Sequence, residues 1–164
     1  MLEQSAPSAA GQQDSAAAGT TQQMPPRLLV VDDDNLHRMI ICRAAAKVGY
    51  LPAGAASYDE AVKLAQQNAF DCVTLDLSPG EHAGVEMLRY FWVIGCKVPI
   101  IIVSAHDGAT CGDGERVAEA LKLNVWDSMP KPVDISVLRD SLERLKAARD
   151  GAAANAQSAQ VSPE

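Results

Sequence analysis

The chain has 164 residues and a formal net charge of −7, with 21 acidic side chains against 14 basic ones. That is room for one domain, and the acidic balance argues against a nucleic-acid-binding surface, which needs clustered Lys and Arg. No run approaches membrane-spanning length and no basic-then-apolar leader opens the chain, so a cytoplasmic protein is expected.

Residues 1–26 are rich in Ala, Gln, Ser, Gly and Pro and lack apolar periodicity. They read as a disordered tail, as does 149–164, which leaves 27–148 as the folded unit. Leu28-Leu29-Val30-Val31 is a short continuous apolar run, the pattern of a buried parallel strand. It runs straight into Asp32-Asp33-Asp34. Crowded carboxylates repel one another unless a cation sits among them, so an acidic metal pocket is one reading. An acidic loop that caps the next helix is the other.

Asn35–Val48 carries Leu36, Ile40 and Ala44 at helical spacing, and Gly49 closes it. Residues 52–57 form a weak second strand of small side chains. Ser57 caps a helix over 58–67, with Glu60 completing a capping box. Cys72-Val73-Thr74-Leu75-Asp76 is a third strand that again ends in an acid. Gly84–Ile94 is an apolar helix, and Pro99-Ile100-Ile101-Ile102-Val103-Ser104 is the clearest buried strand. Residues 105–114 read as a loop because of their glycines, and a helix follows over 115–123. Val125–Met129 is a fifth strand, followed by Lys131-Pro132 and a last helix over 134–148 patterned by Ile135, Leu138, Leu142 and Leu145. Five alternations of strand and helix predict an α/β fold, a doubly wound parallel sheet with helices on both faces. Cys42, Cys72, Cys96 and Cys111 show no metal-ligand spacing and read as reduced thiols. His37, His82 and His106 are scattered, and none reads as a metal ligand.

In such a sheet the strand ends share one edge, where ligands bind. Asp32, Asp33, Asp76, Ser104 and Lys131 therefore converge. Hard oxygen ligands favour Mg²⁺, and an Asp can act as a phosphoryl-accepting nucleophile.

This constellation resembles the receiver domain of bacterial two-component response regulators. The matching motifs are Val30-Val31-Asp32-Asp33-Asp34, Leu75-Asp76-Leu77 with Gly84 eight positions after the acid, Ser104-Ala105 and Lys131-Pro132. The resemblance implies a flavodoxin-like strand order 2-1-3-4-5 and makes Asp76 the phosphoacceptor. It implies Mg²⁺ held by Asp33 and Asp76, by Asp32 through water, and by the Ser78 backbone carbonyl. Ser104 and Lys131 would contact the phosphoryl oxygens, and Lys131–Pro132 would be cis. Ser78 and His106 would flank the hydrolytic water, beside the small Ala105. The implied phosphodonor is a sensor histidine kinase or a histidine phosphotransfer protein, with output through contacts to a further protein.

Three departures stand out. Gly80 occupies the usual Pro position, with Pro79 one earlier, and Ala83 stands where an Asp commonly precedes the Gly. Ser128 replaces the usual aromatic switch residue, with Trp126 two positions before it. The run from Ser104 to Lys131 is several residues longer than is typical. Because Ser128 offers no ring to swing inward, phosphorylation is expected to be felt chiefly as an ordering of the loop 105–114. These features keep open an adaptor that binds a partner without phosphorylation. More distantly, Asp32-x-Asp34 imitates the nucleophile motif of haloacid-dehalogenase-like phosphatases, although Leu36 stands where that motif wants Thr or Val.

Overall fold

The computed structural model describes residues 24–77, 83–105 and 111–158. The elements alternate β1 (Arg27–Val31), α1 (Asn35–Lys47), β2 (Leu51–Ala55), α2 (Tyr58–Gln67), β3 (Cys72–Asp76), α3 (Ala83–Val93), β4 (Ile100–Ala105), α4 (Cys111–Ala120), β5 (Val125–Lys131) and α5 (Ile135–Ser158). The strands are parallel and ordered β2-β1-β3-β4-β5, as the strand–helix alternation and the resemblance imply.

Strand periodicity sorts the core into two layers. Leu28, Val30 and Ile101 face α1 and α5, where Ile41, Ala44, Ala45, Leu138, Leu142 and Leu145 bury. Leu29, Val31, Val73, Leu75, Ile100 and Ile102 face the other side, against Ala61 of α2, Met87, Leu88 and Phe91 of α3, and Ala118 of α4. Fully burying each Leu or Ile is worth roughly 1.5–3 kcal/mol, so both faces hold the strands rigidly and fix where their carboxyl ends stop.

Local signals set the helix starts. Asp34 caps α1 by accepting the His37 N–H at 2.9 Å, and that bond holds its carboxyl below the usual range. At α2, Ser57 accepts the Glu60 N–H at 3.3 Å, while Glu60 reaches back to the Ala56 N–H at 2.8 Å. The capping box is present, displaced by one residue on the return bond. Gly49, at φ +88°, closes α1 in the left-handed region.

Strand bounds shift by a residue or two at β2 and β5, and two helices differ more from the sequence reading. α4 begins at Cys111, inside the stretch 105–114 expected as a loop, because Gly114 is a packing residue and not a turn. A Cβ there would lie 2.5 Å from Leu77 Cδ1. α5 continues to Ser158, through the start of the expected C-terminal tail. Its extension is Ala-rich, and Ala is the best helix former. Arg149 also fastens it to the body, pairing with Asp71 at 3.4 Å and donating to the Met24 carbonyl at 3.1 Å.

Candidate phosphoacceptor site

β3 ends in Asp76, whose side chain is 6% exposed, and β1 runs out into Asp32, 3% exposed. Leaving two buried carboxylates unpaired would be costly. The chain answers with Lys131 at the end of β5, whose Nζ is 2.5 Å from Asp76 Oδ2 and 3.6 Å from Asp32 Oδ2. Burial by itself would lower the Lys131 pKa. The hydrogen bond and charge of Asp76, helped by Asp32, outweigh it and hold the ammonium above its ordinary value.

Asp33 is exposed, yet one oxygen from each of Asp32, Asp33 and Asp76 falls within 4.8 Å of the others. Three hard oxygen donors at that spacing, with solvent on one side, suit a divalent cation that keeps several waters. Arg38 braces the acidic turn from behind, donating from Nη1 to the Asp32 carbonyl at 2.6 Å and from Nη2 to Asn35 Oδ1 at 2.9 Å. The Lys131–Pro132 bond is cis.

Gly84, at the start of α3, explains its own spacing from Asp76. A Cβ there would sit 2.4 Å from the Asp76 carbonyl oxygen and 2.7 Å from Leu77 Cδ2. Only a residue without a side chain lets α3 approach this strand end so closely.

The sequence model of the response regulator receiver domain matches residues 28–143. The chain belongs to that family. Receiver domains are signalling modules of two-component systems, not turnover enzymes, and they hold Mg²⁺ in an acidic pocket. This receiver is 30% identical over 96 residues to the transcriptional regulatory protein ZraR of Salmonella typhimurium, covering 58% of the chain and 21% of ZraR. It thus spans about a fifth of that relative. It is 27% identical over 107 residues to sporulation initiation phosphotransferase F of Bacillus subtilis, covering 65% of this chain and 82% of that one. Among solved structures, the receiver domain of the Francisella response regulator 1452 superposes with a TM-score of 0.62 at 27% identity, over 76% of this chain and 98% of the other. A response regulator from Colwellia psychrerythraea gives a TM-score of 0.66 at 22% identity, over 75% and 98%.

The remaining expected residues divide. Ser104 is buried at the end of β4, and Ala105 pairs in register with Lys131, so both serve the same edge of this receiver. Ser128 is exposed on β5, on the same side as Trp126, and its hydroxyl donates to Glu115 of α4. Ser128 therefore ties β5 to α4 through a side-chain hydrogen bond. Ser78 and His106 lie outside the described residues, as does His82.

One participant escaped the sequence reading. His37, taken there as a scattered histidine, places Nδ1 against Asp32 Oδ2. The available signal was its place three residues after the Asp34 cap, on the first turn of α1 beside the acidic edge. Among the described residues no helix is long and apolar enough to cross a membrane.

Proposed function

We propose that this cytoplasmic receiver takes a phosphoryl group from the phosphohistidine of a sensor histidine kinase or phosphotransfer protein onto Asp76, and signals through contacts with a further protein. The observation that carries this reading is the buried Asp76 carboxylate, held 2.5 Å from Lys131 inside a cluster of three acids. An Asp76 oxygen attacks phosphorus, a P–O bond forms as the P–N bond breaks, and the electron pair leaves on the donor imidazole. Lys131 offsets negative charge on the transferring oxygens, and the Ser104 hydroxyl donates to one of them. Bound Mg²⁺ supplies Lewis-acid charge neutralisation there. Asp33 and Asp76 would hold it directly, Asp32 through water, with the Ser78 carbonyl completing the set. The match to a relative named a phosphotransferase, over most of that relative's length, supports the reading.

The test is incubation with acetyl phosphate and Mg²⁺ followed by mass spectrometry. One phosphate-sized increment that vanishes with chelator supports the reading, and no increment counts against it. The metal assignment has its own check. Asp33 belongs to the cluster, whereas Asp34 spends its carboxylate on the α1 cap. In calorimetry, Asp33→Ala is expected to weaken Mg²⁺ binding about tenfold or more, and Asp34→Ala less than about twofold. Equal losses would remove Asp33 from the ligand set.

A surface next to the site suits the donor's approach. Leu36 (60% exposed) and Ile40 (38%) join Asp34, His37, Lys131 and Pro132 around an open pocket of about 460 Å³. Exposed apolar anchors beside a reactive group suit docking of an apolar helix face. The double variant Leu36→Asp, Ile40→Asp is expected to slow transfer from a phosphohistidine protein roughly thirtyfold, at about 1 kcal/mol per lost anchor, with acetyl phosphate labelling unchanged. Equal slowing with both donors would relocate the docking face.

A further inference from the structure

Both carboxylate oxygens of Asp32 already face donors of the chain. Oδ1 accepts the Asp34 N–H at 2.9 Å, while Oδ2 meets His37 Nδ1 and stands 3.6 Å from Lys131 Nζ. A buried carboxylate is stable without an added cation only when donors of the chain surround it in this way. His37 is committed to that task. An ionised carboxylate only accepts, so Nδ1 is the donor in this contact, and among the described residues the buried Nε2 on the far side of the ring has no hydrogen-bond partner. The residue is also held at its backbone, whose N–H donates to the Asp34 cap at 2.9 Å.

We propose that His37 is a positioning residue that competes with the divalent cation for Asp32. Charge neutralisation in the loaded site then falls mainly on Asp33 and Asp76, and the ion must displace the His37 hydrogen bond before it draws on Asp32. The inference rests on the acidic pocket being the Mg²⁺ site. Removing the donor leaves Asp32 one bond short in the ion-free protein, a deficit that a bound cation repairs. Hydrogen bonds to charged groups are among the stronger ones, so recovering part of one shows as a clear change in affinity.

Calorimetric titration with MgCl₂ tests this on the full chain. His37→Leu is expected to tighten Mg²⁺ binding about tenfold. His37→Asn, whose side-chain amide can present an N–H where Nδ1 stands, is expected to keep the parent affinity. In the parent, the His37 ring ¹⁵N resonances should move with Mg²⁺ along the calorimetric isotherm. Unchanged or weaker binding by His37→Leu, or ring resonances indifferent to Mg²⁺, would overturn the proposal. Parent protein that binds Mg²⁺, with Asp33→Ala that does not, would leave the pocket reading standing in that event. Parent protein that takes up no Mg²⁺ overturns both.

Discussion

Asp76→Asn is expected to abolish labelling by acetyl phosphate, to below about a hundredth of the parent's extent, because an amide oxygen lacks the charge that makes a carboxylate a nucleophile. The substitution keeps size and shape, so the Lys131 bond can be replaced by one to the amide oxygen and the fold persists. The neighbouring acids are poor substitutes: Asp32 is buried with both oxygens facing donors of the chain, and Asp33 is exposed. Lys131 reports the same change from the other side. Without the Asp76 charge, the burial that lowers its pKa has less opposing it, and the ammonium pKa should fall. Intact-mass analysis with peptide mapping decides the matter. Labelling of Asp76→Asn at the parent's extent would move the acceptor to another residue.

Gly84→Ala is expected to cost about 2 kcal/mol of stability and to impair phosphorylation with it. The added methyl would meet the Asp76 carbonyl oxygen at 2.4 Å, and a backbone atom in a central strand cannot swing aside as a side-chain tip can. α3 must therefore lift from the end of β3 or β3 must bend, and either motion disturbs the acceptor. For a domain of this size the melting temperature should drop by roughly 6–10 °C. Gly95→Ala is the matched control. Gly95 has φ +64° and, among the described residues, no atom within 4 Å of its would-be Cβ, so its cost, about 1 kcal/mol, is conformational and leaves labelling intact. A Gly84→Ala protein that melts with the parent would show that the helix start is soft.

The sheet, and the meeting of Asp32, Asp33, Asp76 and Lys131 at one edge, were readable because their signals are local and independent. An apolar run followed by an acid or a lysine states both that a strand is buried and that its end carries charge, and the motifs recur in the order the sheet needs. What misled the reading was chemistry with two meanings. Glycine at 112 and 114 looked like loop composition, yet Gly114 is there so that α4 can close on Leu77. The alanines after Arg149 looked like a low-complexity tail, yet they favour helix once Asp71 and the Met24 carbonyl hold Arg149. His37 could not be assigned a partner from spacing, because its contact with Asp32 depends on how α1 leaves the sheet. Ser128 marked a departure from the family but not its consequence, the bond to Glu115 on a separate element.

β3 also separates two tasks. Asp71, just before the strand, anchors Arg149 and takes the Arg27 N–H at 2.7 Å, while Asp76 at its other end holds Lys131. Five residues of extended chain put them roughly 16 Å apart, well past the range over which substitutions couple. The free energies of changes at the two ends should add. The carboxyl edge is thus free to vary with its chemistry while the amino edge is tuned for robustness, as two separately adjustable ends of one strand.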